Sequence, residues 1–239
     1  MILLPLSDER AIASWHAVLD VSQVKPDGWT LIGAQMVALH AAEHGRTWPR
    51  TSTDADLLAD VRIAAGATQV LSDTLLELGF EFSGATPDGV GHRFIKGQAS
   101  IDILAPDGLG KRTSTTTVYP AHTVLVPGGT QALCRTERRE VSIAGRVGAI
   151  PRPTLLGAIL LKCRAVEVDD VPDSQRLDLA FLLSLVDNPR ELAKDLTSPE
   201  RRWLRRRKEM FEPAASVWLS LDSAADDAYL ALKILANRQ

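Results

Sequence analysis

Apolar positions along the chain follow two periods, and the switches between them predict the elements. Ile12, Trp15 and Leu19 share one helical face, which predicts a helix over residues 7–19 with Ser7 as its N-cap. The turn Pro26-Asp27-Gly28 leads into Trp29-Thr30-Leu31-Ile32, a short and mainly apolar run that reads as a buried strand. Gly33 breaks that strand, and residues 35–44 read as a helix stopped by Gly45. Residues 47–52 are polar and loop-like. At 54–57 the period becomes two, with Asp54 and Asp56 on one side and Ala55 and Leu57 on the other. Leu71, Leu75 and Leu78 predict a helix over 68–78, ended by Gly79. Residues 80–82, 92–96 and 100–104 alternate as antiparallel strands do, and further strand pieces are expected at 123–126 and 138–143.

Near Pro151-Arg152-Pro153 the pattern turns helical and stays so, over 154–166, 174–186, 189–196, 199–211 and 214–236. The expected class is therefore α+β: a mixed sheet with flanking helices over residues 1–150, then a C-terminal helical bundle over 151–239.

Composition narrows the function. Of 239 residues, 45% are hydrophobic and 24% charged, the proportions of a globular chain, which excludes wholesale disorder. Lys and Arg number 27 against 30 Asp and Glu, so the chain is no polycation and any nucleic-acid surface must be local. Cys134 and Cys163 are too few for a disulfide scaffold or a cysteine-rich zinc site, and suit a reducing cytosol. No apolar run reaches the roughly 18 residues of a membrane span, and the N-terminus has no signal-peptide pattern. A soluble, cytoplasmic protein without membrane partners is expected.

The acids carry the chemistry. Residues two apart on a strand point the same way, so Asp54 and Asp56 aim two carboxylates into one space. At a separation of ~5 Å and an effective dielectric near ~20 their repulsion is about 3 kcal/mol. A divalent cation resolves that repulsion, and Mg²⁺, a hard ion that takes one or two carboxylates plus substrate phosphates, suits it. Asp102, between Ile101 and Ile103, faces opposite to them, and would add a third metal ligand if its strand neighbours that of Asp54. The plain alternative is a solvated edge strand with alternating acids.

Two other signals compete. His40-Ala41-Ala42-Glu43-His44 spells H-x-x-E-H, in which two histidines one helical turn apart bind zinc and the glutamate acts as base. The alternative is a helix end with His40 buried and Glu43 and His44 in water. Arg201, Arg202, Arg205, Arg206, Arg207 and Lys208 form the strongest local charge, a phosphate-tracking surface for RNA or else a solvated helix paired with Glu200 and Glu209.

In their order along residues 28–186, several of these pieces resemble the nucleotidyltransferase-fold toxins of the AbiEii/MenT type. They are Gly33-Ala34 after a strand, Leu39-His40 in the next helix, then Arg50, Ser52, Asp54 and Asp56-Leu57. Ile159 to Ala165, around Lys162, looks like the family's helix bearing a lysine. Ser174-Gln175-Arg176-Leu177-Asp178-Leu179 looks like its later helix ending in Asp-Leu. The chain departs from the pattern at Ala34, where the family has a second glycine or a serine, and at Ser174 and Gln175, where it has Lys and an acid.

The resemblance implies a Mg²⁺-dependent nucleotidyltransferase that moves a nucleoside monophosphate from a triphosphate onto an acceptor hydroxyl and releases pyrophosphate. The acceptor it implies is an RNA 3′ end such as that of tRNA, and a cognate antitoxin is the implied protein partner. Asp54, Asp56, Lys162 and Asp178 are its implied catalytic residues, with nucleotide held near Gly33, Ala34, Ser52 and Lys162. Without the resemblance, Lys162 reads as a snorkelling lysine and Asp178 as a surface acid near a helix N-terminus. A small-molecule nucleotidyltransferase of the aminoglycoside-modifying sort and an inactive RNA- or protein-binding module of the same fold are the alternatives.

Overall fold

Two alternating segments, β3 (Asp54–Ala59) and β6 (Ala99–Pro106), lie side by side within the larger sheet of the computed structural model. The structure describes residues 1–48, 50, 52–168 and 172–237; Pro49 and Thr51 of the expected polar loop lie outside the described residues. The chain divides into two units, Met1–Thr154 and Leu155–Gln239.

In the first unit β3 pairs antiparallel with β2 (Trp29–Ile32) and parallel with β6. β5 (Arg93–Lys96) then pairs antiparallel with β6, and β4 (Glu81–Phe82) antiparallel with β5. β7 (Leu125–Val126) adds a short parallel pairing at the end of β6. The centre of this sheet is dry: Ala55, Leu57, Leu58, Ile101, Ile103 and Phe94 are fully buried. Helices α1 (Glu9–Val24) and α3 (Ala67–Glu77) pack on it, with Trp15, Val18, Leu71 and Leu75 buried. Burying side chains of this size is worth roughly 1.5–3 kcal/mol each.

A second sheet, in the order β1 (Ile2–Leu4), β8 (Thr136–Ile143), β9 (Arg146–Pro153), completes the unit. Neither β1 nor β9 is among the strands expected from the sequence. Pro151 and Pro153, which read there as a boundary, pair with Arg138 and Thr136 inside the β8–β9 hairpin. β9 is an edge strand, where a residue without an N–H costs no ladder bond. The division between units consequently falls after Thr154.

Helix starts also differ from expectation. Asp8, not Ser7, caps α1, its carboxylate accepting from the Ala11 N–H at 2.8 Å. The helix continues past residue 19 because Val21 and Ser22 are buried too. α2 (Gly33–Glu43) begins directly at Gly33 with no side-chain cap. A further helix, α4 (Gly129–Cys134), was not expected.

The second unit contains only helices among its described residues: α5 (Leu155–Ala165), α6 (Pro172–Leu183), α7 (Pro189–Leu192), α8 (Ser198–Arg205), α9 (Ser216–Leu219) and α10 (Ala225–Ala236), with 3₁₀ turns between several of them. The two longest expected helices are broken. Residues 199–211 split at Arg206 into α8 and a 3₁₀ turn over Lys208–Phe211. Residues 214–236 split where Asp222 takes a left-handed φ of 48°, a conformation that no helix continues through. No helix among the described residues is long and apolar enough to cross a membrane.

Candidate active site

Strand register assembles the acids. Asp56 pairs with Asp102 across β3 and β6, and with Ile32 across β3 and β2. Residues in register on neighbouring strands project to the same side, as do residues two apart on one strand. Asp54, Asp56 and Asp102 therefore share one face of the sheet, above a core of Ala55, Leu57, Ile101 and Ile103 that faces the other way.

Asp56 sits against the start of α2. Gly33 follows Ile32 directly, has φ +72°, and a Cβ built on it would lie 1.9 Å from Asp56 Oδ2. The glycine thus serves two ends: it turns β2 into α2, and it leaves room for a carboxylate at a helix N-terminus, where a negative charge is favoured. Ser52 is committed locally, its hydroxyl donating to the Asp54 carbonyl oxygen at 2.9 Å. A cavity of about 160 Å³ opens beside these residues, lined by Ala34, Gln35, Arg50 and Ser52 with Trp15 and Trp48. Of the first-unit residues that the resemblance assigns to nucleotide and metal, Ala34 and Ser52 line this cavity, while Gly33, Asp54, Asp56 and Asp102 do not.

Arg93 is the residue beside these acids that periodicity missed. It lies opposite Asp102 on β5, and its Nε and Nη2 donate to Asp102 Oδ1 and Oδ2 at 2.9 and 2.8 Å. The same Nη2 reaches Asp54 Oδ2 at 3.3 Å. The hydrogen bonds to Asp102, helped by the charges of Asp102, Asp54 and Asp56, push the guanidinium further above its already high value. His92 Nε2 stands 3.8 Å from Asp102 Oδ2. A signal for Arg93 exists in the sequence: a two-residue loop, Gly97-Gln98, closes the β5–β6 hairpin with Lys96 opposite Ala99, and counting back puts Arg93 opposite Asp102.

This corrects the three-carboxylate metal site. Both oxygens of Asp102 are engaged by Arg93, and among the described residues no group of three His, Cys, Asp or Glu side chains is placed to hold a metal ion. Asp54 and Asp56 remain a two-carboxylate set, which fits a Mg²⁺ ion completed by phosphate oxygens and water.

Lys162 and Asp178 lie together in the second unit, on α5 and α6. Lys162 Nζ is 2.7 Å from Asp178 Oδ2 and donates to Gln175 Oε1 at 2.9 Å. Both are buried, Asp178 completely. Neither a snorkelling lysine nor a surface acid describes them. Gln175, where the family has an acid, serves as a neutral acceptor for the lysine.

The zinc reading does not survive. His40 Nε2 is 3.1 Å from the Pro153 carbonyl oxygen, and Glu43 forms ion pairs with Arg152 and, at 3.1 Å, with Arg139. His44 Nδ1 turns back to the His40 carbonyl oxygen at 2.8 Å. Burial, then the charge of Arg152, holds His40 well below its ordinary value of 6.5. A histidine kept neutral in the fold but protonated when unfolded stabilises fully above pH 6.5 and progressively less as pH falls below it. The loss of stability between pH 7 and 5, measured by urea unfolding, is expected to shrink in His40→Asn.

The basic stretch is divided by its packing. Arg207 is buried and bonds Glu167 at 2.8 Å, and Arg201 donates to the Leu235 carbonyl oxygen at 3.1 Å. Arg202, Arg205, Arg206 and Lys208 are exposed.

No protein-family model matches the chain, and no curated protein matches it. Among solved structures it is similar to the crystal structure of an antigenic nucleotidyltransferase-like protein from Paracoccidioides brasiliensis, with a TM-score of 0.49 and 12% identity over 92% of this chain and 94% of that one.

Proposed function

We propose that the chain is a Mg²⁺-dependent nucleotidyltransferase whose acids lie in the first unit. One observation carries the reading: Asp54 and Asp56 share a sheet face, and Asp56 is seated at the glycine that opens α2. Two carboxylates beside a helix start whose N–H groups can meet phosphate are what transfer of a charged phosphoryl group asks for.

Asp54 and Asp56 would hold the ion, which when bound neutralises phosphate charge and favours attack by the acceptor oxygen. The chain's own residues position the rest. Backbone N–H groups of the first turn of α2 face the nucleotide's phosphates, and the cavity lined by Ala34 and Ser52 takes part of the nucleotide. In this reading the acceptor is an RNA 3′ end, tRNA in particular, for which the exposed Arg202, Arg205, Arg206 and Lys208 offer phosphate contacts. The growth-inhibiting role of a toxin, with a cognate antitoxin as partner, belongs to the same proposal.

The test is transfer of label from each α-labelled nucleoside triphosphate to total tRNA with Mg²⁺. Asp54→Ala and Asp56→Ala are each expected to reduce labelling to background while their unfolding curves stay close to wild type. Undiminished labelling by both variants removes the acids from the reaction, and label on an aminoglycoside with none on RNA redirects the acceptor. A second reading is favoured by Arg93, which already supplies countercharge to Asp102 and Asp54. A non-catalytic RNA-binding module would need no metal, and would show RNA binding that persists without Mg²⁺ or nucleotide and yields no product.

A further inference from the structure

Arg93 holds its two acids unequally. Toward Asp102 it makes a two-pronged bond at 2.8 and 2.9 Å with a carboxylate that is 9% exposed. Toward Asp54 it makes one contact at 3.3 Å, with the two side chains 44% and 41% exposed. A bidentate, shielded arginine–carboxylate pair is strong and directional, whereas a single exposed contact is worth little. Asp102 is therefore the anchor, and Asp54 is the acid that Arg93 can release.

The charges suit such an exchange. Three carboxylates and one guanidinium leave a formal charge of −2 on this sheet face, the charge that one divalent cation cancels. A cation that binds Asp56 and the Oδ2 of Asp54 takes that oxygen from Arg93 Nη2. The guanidinium, still fixed by Asp102, is left with an unused N–H donor beside the ion, where an anionic ligand would lie.

We propose that Arg93 is a positioning residue that competes with the divalent cation for Asp54 and passes to the triphosphate when the cation displaces it. This rests on the reading of Asp54 and Asp56 as metal ligands. Cation alone then binds weakly, because it must strip a resident countercharge. Cation and triphosphate bind cooperatively, because the displaced donor gains a phosphate oxygen.

The experiment measures two affinities on the full chain, neither of which needs turnover. Mn²⁺ binding is followed by the electron paramagnetic resonance signal of the free ion, and inorganic tripolyphosphate binding at saturating Mn²⁺ by calorimetry. In Arg93→Gln, Mn²⁺ alone is expected to bind about tenfold tighter than to wild type, while tripolyphosphate binds about tenfold weaker. A purely structural arginine would not move the two in opposite directions. Asp54→Asn placed on Arg93→Gln should erase the gain in Mn²⁺ affinity.

Arg93→Lys, which keeps the charge but cannot fork onto Asp102, should shift both affinities the same way by less, and serves if the glutamine variant does not fold. If wild type binds Mn²⁺ through Asp54 and either shift is missing, the exchange is overturned and the metal reading stands. If neither wild type nor Arg93→Gln binds Mn²⁺ at millimolar concentration, both fall together.

Discussion

Gly33→Ala is expected to unseat Asp56 and to destabilise the first unit at the same time. The left-handed backbone at φ +72° costs an L-residue about 1–2 kcal/mol by itself. The added methyl would then stand 1.9 Å from Asp56 Oδ2, 2.9 Å from Cγ and 3.2 Å from Cβ, so no rotation of the carboxylate alone relieves the overlap. The whole side chain must swing off the helix start, and transfer should fall as far as in Asp56→Ala. The two effects separate in a double-mutant cycle. In an Asp56→Ala background the alanine meets no carboxylate, so its cost should drop to the backbone share plus the 3.2 Å contact with the remaining Cβ, giving a coupling of ~0.5–3 kcal/mol between the two positions. Urea unfolding of the four proteins measures this. Additive losses would mean that Asp56 does not depend on the glycine for its seat.

The pairing of acids was legible from local pattern, because a period of two on a short strand determines which side chains share a face. What local pattern does not carry is the neighbour of that strand. β3 and β6 pair in parallel across the 39 residues 60–98 of intervening chain, so the register that sets Asp56 beside Asp102 is a tertiary fact. Arg93 differs, since a two-residue hairpin loop makes its position opposite Asp102 a matter of counting; alternation draws the eye to apolar positions and passed over it. The prolines near residue 151 misled for a definable reason. Their missing N–H argues against a central strand, and β9 is an edge. In the second unit helical periodicity found the segments but not their breaks, because Asp222 interrupts at one residue a pattern that apolar spacing carries straight across.

The charged helix positions show the same division between pattern and packing. Six consecutive-looking cations suggested one outward face, yet Arg207 is buried on Glu167 and Arg201 bonds a carbonyl at the end of α10. Those bonds make the two structural residues and leave four for solvent or a polyanion. The H-x-x-E-H pattern failed likewise. Its spacing is right for zinc, but His40 Nε2, His44 Nδ1 and the Glu43 carboxylate each have a protein partner that a metal would have to displace.

Asp178→Ala is expected to cost about 3–5 kcal/mol of stability, the largest loss among these substitutions, because it leaves Lys162 charged and buried with Gln175 as its remaining polar neighbour on α6. Replacing the pair together by apolar side chains, as Lys162→Met with Asp178→Leu, should recover most of that loss, since desolvating two ions offsets much of their attraction. Asp178→Asn should fall between, keeping an acceptor for the lysine without the charge. The series also separates structure from chemistry. Loss of RNA labelling in Asp178→Ala alone would say little, because the unit that holds it would be failing. Loss of labelling in the folded double variant would show that the lysine charge itself is needed for the transfer proposed above. Labelling that persists there would confine Lys162 and Asp178 to holding α5 against α6, and would leave Asp54 and Asp56 to carry the chemistry without them.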